Sequence, residues 1–169
     1  KGGAGIGCGP NASCGAITIS GGTVNATGGG NGAGIGSGLN ASCGAITITG
    51  GIVRAQGGDN AAGIGCGNKA SCGDISISNG TGFVSVTAIK GKGLAYPIGL
   101  FINYENTCGK IDFGGSTIKE KDSENYSIES ANDGPLRFEQ TTTIPEGTPE
   151  GEQGQYNNNA WVLTPKPYW

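Results

Sequence analysis

The chain has 169 residues, of which 36 are glycine and 35% are hydrophobic, with no Met and no His. A composition this poor in large apolar side chains excludes a globule with one thick core and favours thin layers that repeat. The formal net charge of −3 does not indicate a basic surface of the kind that binds nucleic acid. No stretch approaches the roughly 18 apolar residues of a membrane span. We therefore expect no nucleic-acid partner and no membrane insertion.

From its N-terminus the chain repeats itself with a step of 29 residues. AGIGCGPNASCGAITISGG begins at Ala4, AGIGSGLNASCGAITITGG at Ala33 and AGIGCGNKASCGDISISNG at Ala62. Equal spacing without insertions predicts structural repeats of equal path length, as in a solenoid. Because the chain starts with Lys1 inside a repeat, we expect it to be part of a longer protein.

Apolar and polar residues alternate with a period of two inside each repeat. AITIS from Ala16 and TVNAT from Thr23 are examples, and Gly-Gly pairs bound them. This alternation predicts short, half-buried strands, and no stretch has the periodicity of an amphipathic helix. Two or three short strands with glycine corners in each repeat predict an all-β fold, a parallel β-helix of about four coils.

Equivalent side chains of successive coils should stack, because neighbouring strands lie about 4.8 Å apart. The predicted inner columns are Ile6, Ile35 and Ile64; Ile17, Ile46 and Ile75; Ile19, Ile48 and Ile77; and Val24 with Val53. The predicted outer columns are Thr18, Thr47 and Ser76, and beside them Ser20, Thr49 and Ser78. Each coil would then bury the apolar face of its neighbour, which explains the repetition.

A fourth, less regular coil follows a predicted insertion around GTGFVSVTAIKGKG. AYPIG from Ala95 and TCGKIDFGG from Thr107 echo the repeat, and Ile111 and Phe113 continue two inner columns. The predicted coils span about 2–30, 31–59, 60–94 and 95–115, which together form a domain at 1–115.

Residues 116–169 differ in composition from the repeats. They begin with a charged segment and continue with a stretch rich in Pro, Gly and Glu. We expect them to cap the open end of the β-helix with strands and loops, which would cover an edge that could otherwise pair with another chain. A linker to a further domain is the alternative.

The six cysteines occupy two repeat positions. One position holds Cys14, Cys43, Cys72 and Cys108, and the other holds Cys8 and Cys66, with Ser37 in the second repeat. The favoured interpretation is two local disulfides, Cys8–Cys14 and Cys66–Cys72, with the two remaining cysteines as buried small side chains. Bridges between stacked neighbours such as Cys14–Cys43 are the alternative, because the coil spacing lies within the Cα separations that disulfides allow.

Neither a metal site nor a cofactor is expected. The C-x5-C spacing differs from the spacings typical of zinc sites, and the chain has no His. The absence of His also excludes the usual Ser-His and Cys-His nucleophile pairs. The three regular repeats contain only Asp59 and Asp74 as carboxylates, and Asp112 follows in the fourth. We therefore predict no catalytic residues and no enzymatic activity.

The repeat resembles one that occurs in large secreted or surface-anchored proteins from gut and other anaerobic bacteria. The segments that carry the resemblance are AGIG.G, CGAITISGGTV.ATGG and CGAITITGGIV.AQGG. Such proteins are described as β-helix or carbohydrate-binding-domain-containing surface proteins. The resemblance covers about residues 2–115. It implies a right-handed parallel β-helix and a bacterial extracellular or cell-surface location, and it implies little about activity.

Two functional hypotheses follow. The first is a non-catalytic structural or adhesion module at the cell surface, with a glycan or a host surface protein as partner. The second is an accessory, substrate-positioning module of a polysaccharide-degrading enzyme. Sugar rings stack on flat aromatic side chains, so the predicted ligand contacts are Trp161, Tyr168 and Trp169 near the C-terminus.

Overall fold

The computed structural model describes residues 1–78, 84–93, 95–101 and 106–112, and the backbone of 116–121, 125–130, 155–157 and 160–162. Every regular element in these residues is a β-strand. This part of the chain contains no helix long and apolar enough to cross a membrane.

Four coils follow one another along the chain. The first contains β1 (Ile6–Gly7), β2 (Ser13–Cys14) and β3 (Ile17–Thr27). The second contains β4 (Ile35–Gly36), β5 (Ser42–Cys43) and β6 (Ile46–Gln56). The third contains β7 (Ile64–Gly65), β8 (Ser71–Cys72), β9 (Ile75–Ile77) and β10 (Val84–Ile89). The fourth contains β11 (Ile98–Gly99), β12 (Thr107–Cys108) and β13 (Ile111–Asp112).

Equivalent strands of successive coils pair in parallel and build three sheets. β1, β4, β7 and β11 form one sheet, and β2, β5, β8 and β12 form another. In the third sheet, β6 lies between β3 on one side and both β9 and β10 on the other. This arrangement is a right-handed parallel β-helix, so the predicted fold class is confirmed.

The predicted inner columns are confirmed by the strand register. Ile17 pairs with Ile46, which pairs with Ile75, and Ile111 extends this column into the fourth coil. The sheet of β1 stacks its isoleucines in the same way and ends at Ile98. The largest fully buried side chains are Ile35, Ile46, Ile48, Ile64, Ile75, Ile77, Ile98, Leu100 and Ile111. The core is therefore a set of apolar columns along the helix axis.

The first coil is less buried than the coils stacked on it. Ile17 and Val24 are half-buried, whereas Ile46 and Val53, their partners in the second coil, are buried. The difference arises because, among the described strands, β3 pairs on one edge only, with β6.

One predicted outer column differs from the structure. Thr18, Thr47 and Ser76 stack as predicted, but Ser20 pairs with Gly50 instead of Thr49. The long strands β3 and β6 continue through their Gly-Gly pairs, where the register shifts. Gly22 and Gly51 have φ of 84° and 95°, a left-handed conformation that glycine adopts without steric cost, so the strands bend here instead of ending.

The segment interpreted as an insertion contains a strand of the third coil. β10 pairs in parallel with the second half of β6, from Val84 opposite Gly51 to Ile89 opposite Gln56. Its inward residues Val86 and Ala88 extend the columns of the coils below. The insertion therefore lies outside β10, and the regular alternation of VSVTAI was the signal for the strand.

The described residues of the C-terminal part form two antiparallel strand pairs. β14 (Ser116–Lys121) pairs with β15 (Asn125–Ser130), and β16 (Gln155–Asn157) pairs with β17 (Ala160–Val162). β15 also pairs antiparallel with β10. The division of the chain at residue 115 and the capping role of 116–169 stay predictions, and Phe113 lies outside the described residues.

Candidate functional site

Two clusters of three cysteine sulfurs lie in the interior of the β-helix. Within each cluster the three Sγ atoms lie within 4.8 Å of one another. In each cluster, two cysteines come from one coil. The third comes from the next coil, at the repeat position that Cys14 occupies in the first coil. The first cluster contains Cys8, Cys14 and Cys43, and the second contains Cys66, Cys72 and Cys108. The third sulfur lies beside the other two because the strands of successive coils pair in register: Cys14 pairs with Cys43, and Cys72 pairs with Cys108.

The first cluster contains a disulfide. Cys8 and Cys14 are bonded, with a Cα–Cα distance of 5.4 Å, and Cys43 is a free, buried thiol. Burial raises the pKa of the Cys43 thiol, since a thiolate would lose its hydration there. The short loop between β1 and β2 therefore accommodates the C-x5-C bridge.

The second cluster contains three unbonded cysteines, and the predicted Cys66–Cys72 disulfide stays a prediction. The sulfur of Cys72 lies 2.8 Å from that of Cys66 and 3.3 Å from that of Cys108. The thiol of Cys66 also lies 3.2 Å from the carbonyl oxygen of Thr107 in the next coil. The separation of the Cys66 and Cys72 sulfurs is shorter than a van der Waals contact, so a small movement of the side chains would let them bond. Cys72 is the sulfur that lies close to both of the others.

A buried amide holds the loop that carries this cluster. Asn106 is 2% exposed, and its side chain accepts a hydrogen bond from the backbone N–H of Ala70 at 3.1 Å. It also donates to the carbonyl oxygen of Gly67 at 2.7 Å. Both groups belong to the loop between Cys66 and Cys72, so Asn106 of the fourth coil fixes its path. The sequence analysis missed this residue, whose only signal is its place directly before TCG.

Ser37 separates the two clusters along their shared column. It is fully buried and stacks between the positions of Cys8 and Cys66. Its hydroxyl accepts a hydrogen bond from the N–H of Gly67 at 3.3 Å and donates to the carbonyl oxygen of Gly65 at 3.5 Å. Because the second coil has Ser37 in place of a cysteine, Cys43 completes the cluster of the coil below.

The three thiols of the second cluster differ in acidity. Hydrogen bonds from Cys66 and then Cys72 lower the pKa of Cys108 to about 5, against the opposing effects of burial and of the Asp74 carboxylate. Burial raises the pKa of Cys66, while hydrogen bonding to Cys108 and Cys66 raises that of Cys72. The arrangement therefore favours the thiolate form at Cys108 and the neutral thiol form at Cys66 and Cys72.

The sulfur positions do not match a tetrahedral zinc site. Three sulfurs at about 2.3 Å from a tetrahedral zinc ion would lie about 3.8 Å from one another. The two short distances of the second cluster, 2.8 Å and 3.3 Å, are below that value. In the first cluster two of the three sulfurs are already bonded to each other. The geometry of the second cluster fits chemistry between sulfurs better than coordination of an ion.

The low pKa of Cys108 predicts its alkylation profile. In the folded protein with a reduced second cluster, the rate of Cys108 carbamidomethylation by iodoacetamide should rise with a midpoint near pH 5, because the thiolate is the nucleophile. In the urea-unfolded chain the midpoint should move to about 8.5. Peptide mass spectrometry at several pH values measures both, with buried Cys43 as the internal control. A folded-state midpoint of 8 or above would contradict the assignment of the thiolate.

The predicted ligand contacts are not brought to this site by the described structure. Trp161 lies in β17, where only the backbone is described, and Tyr168 and Trp169 lie outside the described residues. The carboxylates of the repeats have local partners. Asp59 forms an exposed ion pair with Lys92 at 3.4 Å, and Asp74 accepts a hydrogen bond from the N–H of Lys110 at 2.8 Å.

Stacked coils with apolar columns inside define a β-helix repeat protein. Consistent with this class, the family model described as "Beta helix repeat" matches residues 17–39 and 46–68. Each match starts at the first residue of a long strand, β3 or β6, and runs into the following coil. No curated protein and no solved structure matches the chain.

Proposed function

We propose that this chain is a non-catalytic structural or adhesion module of a bacterial surface or secreted protein, with carbohydrate as the candidate ligand. The observation that carries the proposal is the parallel stacking of the coils, which puts apolar columns inside and polar columns outside. Thr18, Thr47 and Ser76 form one outer column, at a spacing of about 4.8 Å. A stack of this kind supports a stiff spacer with repeated hydrogen-bonding groups along its surface.

The outer face of the long strands supports contact with sugars. Asn25 and Arg54 pair in register and are exposed, and the Arg54 guanidinium lies 3.4 Å from the side-chain oxygen of Gln56. Ile52, on the same face, is 53% exposed. Amide and guanidinium donors beside an apolar surface are the groups that bind the hydroxyls and the C–H faces of a sugar ring.

A glycan-array screen of this chain tests the carbohydrate part of the proposal. We expect binding to at least one glycan, weakened at least tenfold by Trp161→Ala if the C-terminal aromatics contact the ligand. Arg54→Ala tests the β3–β6 face in the same way, and Lys92→Ala, on another surface of the coil, is the control. Binding to host-type glycans favours adhesion, while binding to a structural polysaccharide favours an accessory module of a degrading enzyme. Binding to no glycan would overturn the carbohydrate proposal and leave the structural role.

A further inference from the structure

We propose that Cys66, Cys72 and Cys108 form a thiol–disulfide exchange relay. In this relay, a low-molecular-weight disulfide reacts first at Cys108, and the exchange ends in a bridge between Cys66 and Cys72. A low-molecular-weight thiol breaks this bridge by the same steps in reverse. The proposal concerns a covalent site inside the β-helix, and it does not depend on the glycan-binding role.

Access to solvent distinguishes the three thiols. Cys66 is fully buried and Cys72 is 6% exposed, so an oxidant in solution does not reach either sulfur directly. Cys108 is half-buried, and among the described strands its strand β12 pairs on one edge only, with β8. The thiolate is the species that attacks a disulfide, and the arrangement favours it at Cys108. The accessible thiol and the ionised thiol are therefore the same residue.

The sulfurs are arranged as a path from the surface to the interior. Cys72 lies 3.3 Å from Cys108 and 2.8 Å from Cys66, so each exchange step joins neighbours. Cys72 and Cys108 are in-register partners of β8 and β12. Parallel neighbours about 4.8 Å apart lie within the Cα separation of a disulfide. The bonded pair Cys8 and Cys14 shows that the equivalent loop of the first coil accommodates the final bridge.

Three steps balance the reaction with oxidised glutathione. The Cys108 thiolate attacks one glutathione sulfur, forms a mixed disulfide and releases glutathione thiolate. The released glutathione thiolate takes the Cys72 proton, and the Cys72 thiolate then attacks the Cys108 sulfur, forms Cys72–Cys108 and releases the second glutathione as thiolate. This second thiolate takes the Cys66 proton, and the Cys66 thiolate attacks Cys72, forms Cys66–Cys72 and releases Cys108 as thiolate. Two protein thiols are oxidised and one glutathione disulfide is reduced to two thiols.

The geometry gives the last step its direction. The Cys66 and Cys72 sulfurs lie 2.8 Å apart, closer than the 3.3 Å between Cys72 and Cys108. The bridge Cys66–Cys72 is also the equivalent of Cys8–Cys14, which is bonded in the first coil. Attack by Cys66 on the Cys72–Cys108 bond therefore moves the bridge inward, to the closer pair of sulfurs.

Reaction of the reduced protein with oxidised glutathione at pH 7, with a chelator present, tests the relay. Acid-quenched samples are mapped by mass spectrometry. We expect wild type to end with Cys66–Cys72, Cys66→Ser to accumulate Cys72–Cys108, and Cys72→Ser to accumulate glutathione on Cys108. Cys108→Ser should slow closure of Cys66–Cys72 at least tenfold. Cys43→Ser is the matched control, because Cys43 has the same repeat position as Cys108 but belongs to the other cluster. Its Cys66–Cys72 bridge should form at the wild-type rate.

Equal closure rates in Cys108→Ser and wild type would overturn the relay. Glutathione found first on Cys66 or Cys72 would also overturn it. If Cys108→Ser fails to fold, the Cys66→Ser protein decides alone, because a relay requires that its mixed disulfide at Cys108 decay into Cys72–Cys108. If the same reaction without the chelator left the cluster unreacted, the cluster would be a soft-metal site instead, which would contradict the proposal.

Discussion

Replacing Gly65 with Ala should destabilise the β-helix by about 3 to 5 kcal/mol. Gly65 has a φ of 127°, which L side chains rarely adopt, and a Cβ atom there would overlap the carbonyl oxygen of Gly99 in the next coil. Backbone cannot rotate away as a side chain can, so the coils would have to separate. The free energy of unfolding, measured by urea denaturation with circular dichroism, quantifies the loss.

Gly15→Ala is the matched control for this substitution. Gly15 lies in the first coil, and an added Cβ atom would meet no heavy atom within 4 Å. We expect its free energy of unfolding to stay within about 0.5 kcal/mol of wild type, as for ordinary surface changes. Equal effects of the two substitutions would show that Gly65 is not enclosed between coils.

Ile46→Ala should cost about 2 to 5 kcal/mol, because its side chain is fully buried between two coils. Ile46 stacks on Ile17 below and under Ile75 above, so truncation removes contacts on both sides and leaves a cavity. The same denaturation experiment measures the change in the free energy of unfolding.

Two further isoleucines provide a graded comparison for Ile46. Ile17→Ala should cost less, because Ile17 lies in the same column but is only half-buried. Ile52→Ala should be near neutral, since that side chain is 53% exposed on the outer face. If Ile17→Ala cost as much as Ile46→Ala, the side chain of Ile17 would be as completely covered as that of Ile46, which would contradict the half-buried first coil.

The period of the sequence was sufficient to predict the fold and its inner columns. A constant step leaves a single register in which Ile17, Ile46 and Ile75 all point inward, since a shift by one residue would turn the apolar side chains outward. The bend at Gly51 was not predictable from alternation, because the strand continues through a glycine pair that usually ends one. As a result, Ser20 pairs one position away from its predicted partner.

The cysteine clusters depend on contacts between coils that local spacing does not contain. The C-x5-C pair was visible as a candidate bridge, but the third sulfur comes from the next coil. In the irregular fourth coil, the position of Cys108 depends on how the chain between Ile89 and Thr107 is accommodated. The acidity of Cys108 in turn depends on which thiols donate to it, and only the stacked arrangement specifies these donors.

Scalar couplings through hydrogen bonds test the stacking of the coils most directly. In the stacked helix, the amide nitrogens of Ile17, Ile46 and Ile75 lie 2.8 Å from the carbonyl oxygens of Ala45, Asp74 and Lys110, each in the next coil. Nitrogen–carbonyl NMR correlations across these hydrogen bonds should therefore connect those three pairs. Correlations from the same amides to carbonyls of another register, or to none in a folded protein, would contradict the stacked β-helix.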